Sequence, residues 1–226
     1  MEELKLRIYL SFIFQNRWEF FVEGLGITLL LTIGSFVVGS LLGAGFCALK
    51  ISRHGFVRKV TNAFISFLVQ LPTLVLLMLF VYIIFGETSL SVTLVVLFGL
   101  TLKAGAYLSD IFYTAVTAVN AGEVEAAHTL GLSRVQVFRY ITLPQAISTA
   151  LPVYKNQFVI TLQETSIVGY LAIMDLTRAS EVVTSRTYDA LFGLIFVSVL
   201  YLLIGYLGNL LLNLLGKQKH LGGDSK

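Results

Sequence analysis

Long apolar stretches alternate with short polar connections along this chain. No charged residue occurs from Gly24 to Leu49, and this stretch is long enough to span a bilayer with some tilt. Four further apolar stretches follow, at about 60–85, 90–119, 145–171 and 190–215. The pattern predicts an all-α integral membrane protein with five transmembrane helices.

The remaining segments give a simple division of the chain. Residues 1–23 mix charged and aromatic side chains, which predicts an interfacial helix rather than a signal peptide. Residues 24–216 are predicted as a single transmembrane domain, and residues 217–226 as a short basic tail. Pro72 lies inside the second apolar stretch and predicts a break there. Residues 172–189 read as a mixed polar connection.

The distribution of lysine and arginine predicts the orientation in the membrane. With the N-terminus outside, nine of these residues fall on the cytoplasmic side and five on the opposite side. Cytoplasmic loops carry the excess of positive charge. The chain is therefore expected to have its N-terminus outside, its C-terminus inside, and the loop at about 120–145 in the cytoplasm.

Composition excludes several other classes of protein. The chain is 56% hydrophobic and 13% charged, with a mean hydropathy of +0.84, whereas soluble domains carry about 25% charged residues. The net charge of +3 is spread over loops, so no nucleic-acid partner is expected. Cys47 is expected to be a packing residue, and the three histidines show no metal-ligand spacing. No phosphate-binding glycine loop occurs, so this chain is not expected to hydrolyse nucleotide.

The loop at about 120–145 is the most polar long interior segment. Asn120 with Glu123, and Ser133 with Gln136, have the spacing of capping boxes that open two short helices. Gly131 can end the first helix and form the corner. The local chemistry therefore predicts two short helices joined at a glycine.

This loop resembles the signature loop of permease subunits of bacterial ATP-binding-cassette (ABC) importers. The match consists of seven positions at fixed spacing: Glu125, Ala126, Ala127, Gly131, Ile141, Leu143 and Pro144. In that family the loop forms the cytoplasmic coupling helix, which sits in a cleft of the partner ATPase. The resemblance therefore implies a coupling role for Glu125, Ala126, Ala127, Gly131, Leu143 and Pro144.

Further runs resemble the polar amino-acid branch of the same family. The run from Ala106 to Phe112 is similar to its Ala-Tyr-x-x-Glu-Ile-Phe motif, with Asp110 at the acidic position. The run from Val69 to Pro72 replaces the family's Arg-Gly-Thr-Pro and lacks the arginine. These departures spare the ATPase loop, leave the solute open, and fit either a homodimer or one half of a heterodimer.

The resemblance implies a type I ABC importer permease in a bacterial plasma (inner) membrane. Its partners would be a pair of ABC ATPase subunits, a second permease chain and an external solute-binding protein. ATP and Mg would be bound by the ATPase, so no cofactor is expected in this chain. The implied function is to form the translocation pathway for a small polar solute, an amino acid in the first place.

Four charged residues lie at membrane depth: Lys103, Asp110, Lys155 and Glu164. Such residues face a protein interior or a wet cavity. Their depths predict two cross-helix pairs, Asp110 with Lys155 and Lys103 with Glu164. They are either register-fixing ion pairs or pathway residues that meet a solute, and both roles can alternate. The candidate pathway residues are Lys103, Asp110, Lys155, Asn156, Gln163, Glu164, Thr165 and Ser166.

Three other functions stay open at this point. A permease for another small polar solute, such as a quaternary amine or organic anion, is nearest. An ion-coupled secondary transporter would use the four buried charges and need no ATPase. A membrane scaffold would not need those charges at all.

Overall fold

The computed structural model describes residues 2, 5, 7 and 9–217, and the side chains among these up to 214. Within these residues all regular structure is helical. Of the predicted tail, residues 218–226 lie outside the described part. A π turn at Tyr9–Ile13 and a 3₁₀ turn at Phe14–Asn16 precede the long helices.

The helices follow one another with short connections. They are α1 (Trp18–Ile51), α2 (Gly55–Gln70), α3 (Thr73–Met78), α4 (Val92–Thr117), α5 (Ala121–Thr129), α6 (Arg134–Val137), α7 (Leu143–Glu164), α8 (Leu176–Thr187) and α9 (Ala190–Lys217). Continuations of π and 3₁₀ type follow α3, α6 and α7, at Leu79–Ile84, Phe138–Thr142 and Thr165–Leu171.

The described residues contain three helices that can each cross a membrane alone. These are Trp18–Ile51, Val92–Thr117 and Ala190–Leu214, with mean hydropathies of 2.2, 1.7 and 2.4. Two bent pairs, Gly55–Gln70 with Thr73–Ile84 and Arg134–Leu171 with Leu176–Thr187, raise the number to five if each pair is one span. The predicted five spans match the upper figure.

The prolines of the second and fourth apolar stretches affect their helices differently. The helix ends at Gln70 and resumes at Thr73, so the break expected at Pro72 is confirmed. Pro72 has extended backbone (φ −55°, ψ 135°) and has no N–H to continue the helix. Pro152, in contrast, lies inside α7 without ending it.

The first boundary was placed too late. Helix α1 begins at Trp18, six residues before the predicted start at Gly24, because charged and aromatic residues are compatible with a helix beyond the apolar core. Glu19 in its first turn also complements the helix dipole.

The polar segment 172–189 is not a plain connection. Most of it forms α8, whose buried residues Leu176, Ala179, Ser180 and Val183 recur at helical spacing. The Asp175 side chain caps this helix by accepting hydrogen bonds from the backbone N–H groups of Thr177 and Arg178, both at 3.0 Å.

The chain divides into two compact units. Unit 1 contains the described residues of 1–37, 71–101 and 158–226. One of its clusters packs Leu31, Leu77, Val96, Leu100 and Val168, which are almost completely buried. Another packs Phe21 against α8 and α9, with Phe12, Phe21 and Phe196 in edge contacts at 4.8–5.4 Å between ring centres.

Unit 2 contains residues 38–70 and 102–157, and therefore the predicted loop. Helices α1 and α4 approach closely in this unit. A Cβ placed on Gly43 would lie 2.8 Å from the Leu108 Cβ and 3.0 Å from the Gly105 carbonyl oxygen. The missing side chain of Gly43 therefore allows the two helices to pack closely.

Candidate functional site

Both short helices of the predicted loop form, and side chains cap each of them. The Asn120 side chain accepts a hydrogen bond from the Gly122 N–H at 2.8 Å at the start of α5. At the start of α6, Ser133 and Gln136 form the complete predicted capping box, at 2.8 and 3.4 Å. We name residues 120–142 the hairpin.

The first predicted capping box is wrong in one partner. The Glu123 carboxylate does not complete the box but accepts a hydrogen bond from Gln145 Nε2 at 2.5 Å. Gln145 lies in the first turn of α7. The hydrogen bond therefore joins the beginning of the hairpin to the helix that leaves it.

The corner at Gly131 has the geometry of a Schellman motif. Gly131 has φ +84°, its N–H donates to the His128 carbonyl at 3.0 Å, and the Leu132 N–H donates to the Ala127 carbonyl at 3.2 Å. At this φ any residue other than glycine is strained, asparagine and aspartate less than the others. The predicted corner residue is therefore confirmed.

The signature residues divide between the surface and the inside of the hairpin. Glu125 and Ala126 are exposed, and Glu125 forms no ion pair within the described part of the chain. Ala127 is buried, so its small size serves packing inside the hairpin. Ala126, Ala127 and Pro144 line a groove of about 410 Å³, and Glu123 and Gln145 also belong to its lining.

The hairpin exposes several large apolar side chains, although its overall composition is polar. Leu130 is 81% exposed, Val135 75% and Tyr140 63%. Several exposed large apolar side chains close to a groove are typical of a protein–protein contact surface. Hydrogen bonds fix the backbone beneath them, so the surface is held in shape.

At membrane depth, Asp110 has a cation partner that the sequence did not suggest. In unit 2 its carboxylate forms an ion pair with Lys50, whose side chain is 11% exposed. The Lys50 Nζ also lies 4.7 Å from the ring centre of Tyr113. Lys50 lies in the last turn of α1. The predicted pairing of Asp110 with Lys155 stays a prediction.

The other candidate pathway residues of unit 2 differ in exposure. Lys103 is 2% exposed on α4, Lys155 is half-buried on α7, and Asn156 is exposed. The neighbouring Tyr154 hydroxyl lies 2.9 Å from the Ser40 hydroxyl and its ring stacks on Phe112.

The candidates of unit 1 surround the end of α7. Glu164 Oε1 accepts a hydrogen bond from the Thr73 hydroxyl at 2.8 Å, and Gln163 is exposed. The hydroxyls of Thr165 and Ser166 donate to the carbonyls of Leu162 and Gln163, both at 2.7 Å. They therefore bond backbone groups where α7 changes to 3₁₀ geometry. The pairing of Lys103 with Glu164 stays a prediction.

A buried polar cluster of unit 1 was missed. Asp175 is completely buried, and the Tyr201 hydroxyl donates to its Oδ2 at 3.4 Å. The Leu176 N–H donates to the Thr28 hydroxyl at 3.2 Å, which ties α8 to α1. The sequence signal was present, as Asp175 directly precedes apolar residues at helical spacing.

The apolar helices, the capped hairpin and the charges at membrane depth together define a polytopic α-helical membrane protein. The chain belongs to the family described as binding-protein-dependent transport system inner membrane component, whose profile matches residues 40–220. The family resemblance stated from the sequence is therefore confirmed.

Similar proteins include permease subunits of named transport systems. The histidine/lysine/arginine/ornithine transport system permease protein HisM of Salmonella typhimurium is 30% identical over 220 residues, covering 91% of this chain and 92% of HisM. The probable amino-acid ABC transporter permease protein YckA of Bacillus subtilis is 29% identical, covering 89% of each chain. The crystal structure of an amino acid ABC transporter with histidines is similar with a TM-score of 0.79 and 29% identity, covering 88% of this chain and 94% of that chain.

Proposed function

We propose that this chain is the transmembrane subunit of an ATP-driven importer that carries an amino acid across a bacterial plasma membrane. It would span the membrane five times, with its N-terminus outside and its C-terminus in the cytoplasm. The observation that carries the proposal is the hairpin: two capped helices with a glycine corner and an exposed apolar surface, in a chain of a permease family.

The hairpin would act as a lever between an ATPase and the spans. A separate pair of ATPase subunits would bind ATP and Mg, so hydrolysis would not occur in this chain. Closure of the ATPase pair would displace residues 121–143. The hydrogen bond between Glu123 and Gln145 would pass the displacement directly to α7.

The complex would contain a second permease chain and an external solute-binding protein. Five spans of one chain enclose a gated path poorly, so a dimer is needed to form the pathway. The run Val69–Pro72, which lacks the arginine of the amino-acid branch, favours a heterodimer whose other chain keeps that arginine.

An amino acid carries both a carboxylate and an ammonium group. Lys103, Lys155, Asn156, Gln163, Glu164, Thr165 and Ser166 are the residues that we propose along its path. Asp110 would join them only after releasing Lys50, because the ion pair between the two satisfies its charge.

The proposal is tested by ATP-dependent uptake in proteoliposomes that contain the permease, its ATPase and its binding protein. The variant is Gly131→Asp. A Cβ at Gly131 meets no atom within 4 Å, but the φ of +84° strains any residue other than glycine, so uptake is compared at equal levels of inserted complex. A docked ATPase would meet a new side chain and charge at the corner, and we expect uptake to be lost.

The matched control is Gly55→Asp, since a Cβ at Gly55 also meets no atom within 4 Å but lies outside the hairpin. We expect this control to transport as the wild type does. Competition with a panel of amino acids, quaternary amines and organic anions identifies the solute class. Uptake without the ATPase would instead support the ion-coupled transporter.

A further inference from the structure

Unit 2 contains a cavity of about 730 Å³ that the proposed transport mechanism does not use. It lies among the C-terminal half of α1, the end of α4 and the beginning of α7. Small side chains on all three helices leave this space, and they are Ala44, Cys47, Ala48, Ala115, Ala146 and Ala150. The volume is within the range of small-molecule binding sites.

The length of the cavity fits one leaflet of a bilayer. Its wall on α7 runs from Leu143 to Tyr154, or about 16 Å of helix rise, and its wall on α1 runs from Ala44 to Ile51, with Ser52 and Arg53 just beyond the end of that helix. The hydrocarbon core of a bilayer is about 30 Å thick, so one leaflet accounts for about 15 Å. The cavity therefore has the length of an acyl chain that enters from the surface where α1 ends.

The lining excludes a zwitterionic solute over most of this length. Apart from Tyr154, Ser52 and Arg53, the wall consists of apolar side chains and Cys47. An ammonium or carboxylate group there would lose its hydration without gaining a partner. An amino acid is thus a poor occupant, and a hydrocarbon chain is a good one.

The mouth of the cavity carries a cation. Arg53 belongs to the lining, its side chain is exposed, and it forms no ion pair within the described residues. A guanidinium group binds phosphate oxygens in a fork-like geometry. Arg58 and Lys59 follow in the same basic segment, which favours an anionic headgroup over a zwitterionic one.

We propose that this cavity binds an anionic phospholipid, with one acyl chain along α1 and α7 and the phosphate on Arg53. The site depends only on the chain being embedded in a membrane. Its assignment to the cytoplasmic leaflet rests on the proposed orientation. Phe138 and Leu143 line the same cavity where the hairpin joins α7, so the lipid would support the base of the hairpin.

The test uses the full chain, purified with its partner subunits and reconstituted in bilayer nanodiscs. The probes are phosphatidylglycerol and phosphatidylcholine that carry the same photoreactive diazirine on one acyl chain. After illumination, proteolysis and mass spectrometry locate the lipid adducts. We expect them on the peptides 44–53 and 143–154, with roughly fivefold more from phosphatidylglycerol, the factor that one basic side chain near an anionic group provides.

Two pairs of variants separate the headgroup from the acyl chain. Arg53→Gln should remove the preference for phosphatidylglycerol, while Arg58→Gln, a cation outside the lining, should keep most of it. Ala48→Phe should fill the cavity and remove the adducts, while Leu49→Phe, at the next residue and outside the lining, should not.

Four outcomes would overturn the proposal. They are adducts spread evenly over exposed apolar faces such as that of α9, equal labelling by both lipids, labelling unchanged by Ala48→Phe, and displacement of the lipid by the transported amino acid. The last would assign the cavity to the solute pathway. Uptake measured on the same samples shows separately whether the transport function holds.

Discussion

Single residues fix the corner of the hairpin and the partner of one carboxylate at membrane depth. Gly131 forms the corner of the hairpin because its φ of +84° is open to few residue types. Lys50 fixes the Asp110 carboxylate in unit 2, and its contact with Tyr113 holds the ammonium group in place. The glycine was predictable from spacing, whereas the lysine pairs with a residue sixty positions away and leaves no local signal.

The ion pair between Lys50 and Asp110 gives a prediction at this scale. Lys50→Ala and Asp110→Ala should each destabilise the protein, because each leaves a charge without its partner. The double variant should cost less than the two single variants added together. The Asp110 side chain is 48% exposed, so we expect a coupling energy of roughly 0.2–1 kcal/mol, measured by thermal unfolding of all four proteins in detergent.

Lys59→Ala, in the basic segment after α1, is the control, and its effect should add to that of Asp110→Ala. If the Lys50 and Asp110 effects also add, the pair does not stabilise the protein.

At the scale of elements, caps and corners decide where helices begin and end. The hairpin was predictable because its cap at Ser133 and its corner at Gly131 act on neighbouring backbone groups. Helix α8 was missed because its composition is polar, although its cap and its buried spacing were in the sequence. The Glu123 carboxylate was assigned to the wrong partner, because Gln145 is distant in sequence.

The cap of α8 can be tested by two substitutions at one residue. Asp175→Ala removes the acceptor for the Thr177 and Arg178 N–H groups and for the Tyr201 hydroxyl. We expect a loss of about 1–2 kcal/mol. Amides in the first turn of α8 should exchange faster with deuterium, as measured by mass spectrometry.

Asp175→Asn is the matched variant, since asparagine caps helices about as well as aspartate. It should keep most of the protection. Equal loss in both variants would show that the negative charge, rather than the cap, stabilises this region.

At the scale of the whole molecule, the number of spans depends on whether each bent pair crosses the membrane. Helix α9 is highly exposed. Only 17% of an apolar 18-residue stretch of α9 is buried, against 61% of the corresponding stretch of α4. An apolar helix with this exposure needs lipid or a second chain around it. The surrounding membrane and the proposed second permease chain would cover this exposed apolar surface.

Reporter fusions distinguish five spans from three. Alkaline phosphatase, which folds only outside the cytoplasm, is fused after Glu87, and a fusion after Arg53 is the control. With five spans and the N-terminus outside, the Glu87 fusion should be active and the Arg53 fusion inactive. With three spans, both positions precede the second span and both fusions should be inactive. Activity only after Arg53 would reverse the orientation.

The sequence by itself determined the membrane class, the three long apolar helices to within about six residues, the break at Pro72 and the hairpin at 120–142. These follow from local quantities: hydropathy, the missing N–H of proline, capping side chains and the φ of glycine. Only the tertiary structure decided the partners of Asp110, Glu123 and Asp175, and the cavity between α1, α4 and α7. Those depend on which distant segments pack together, and a pattern along one chain does not record that contact.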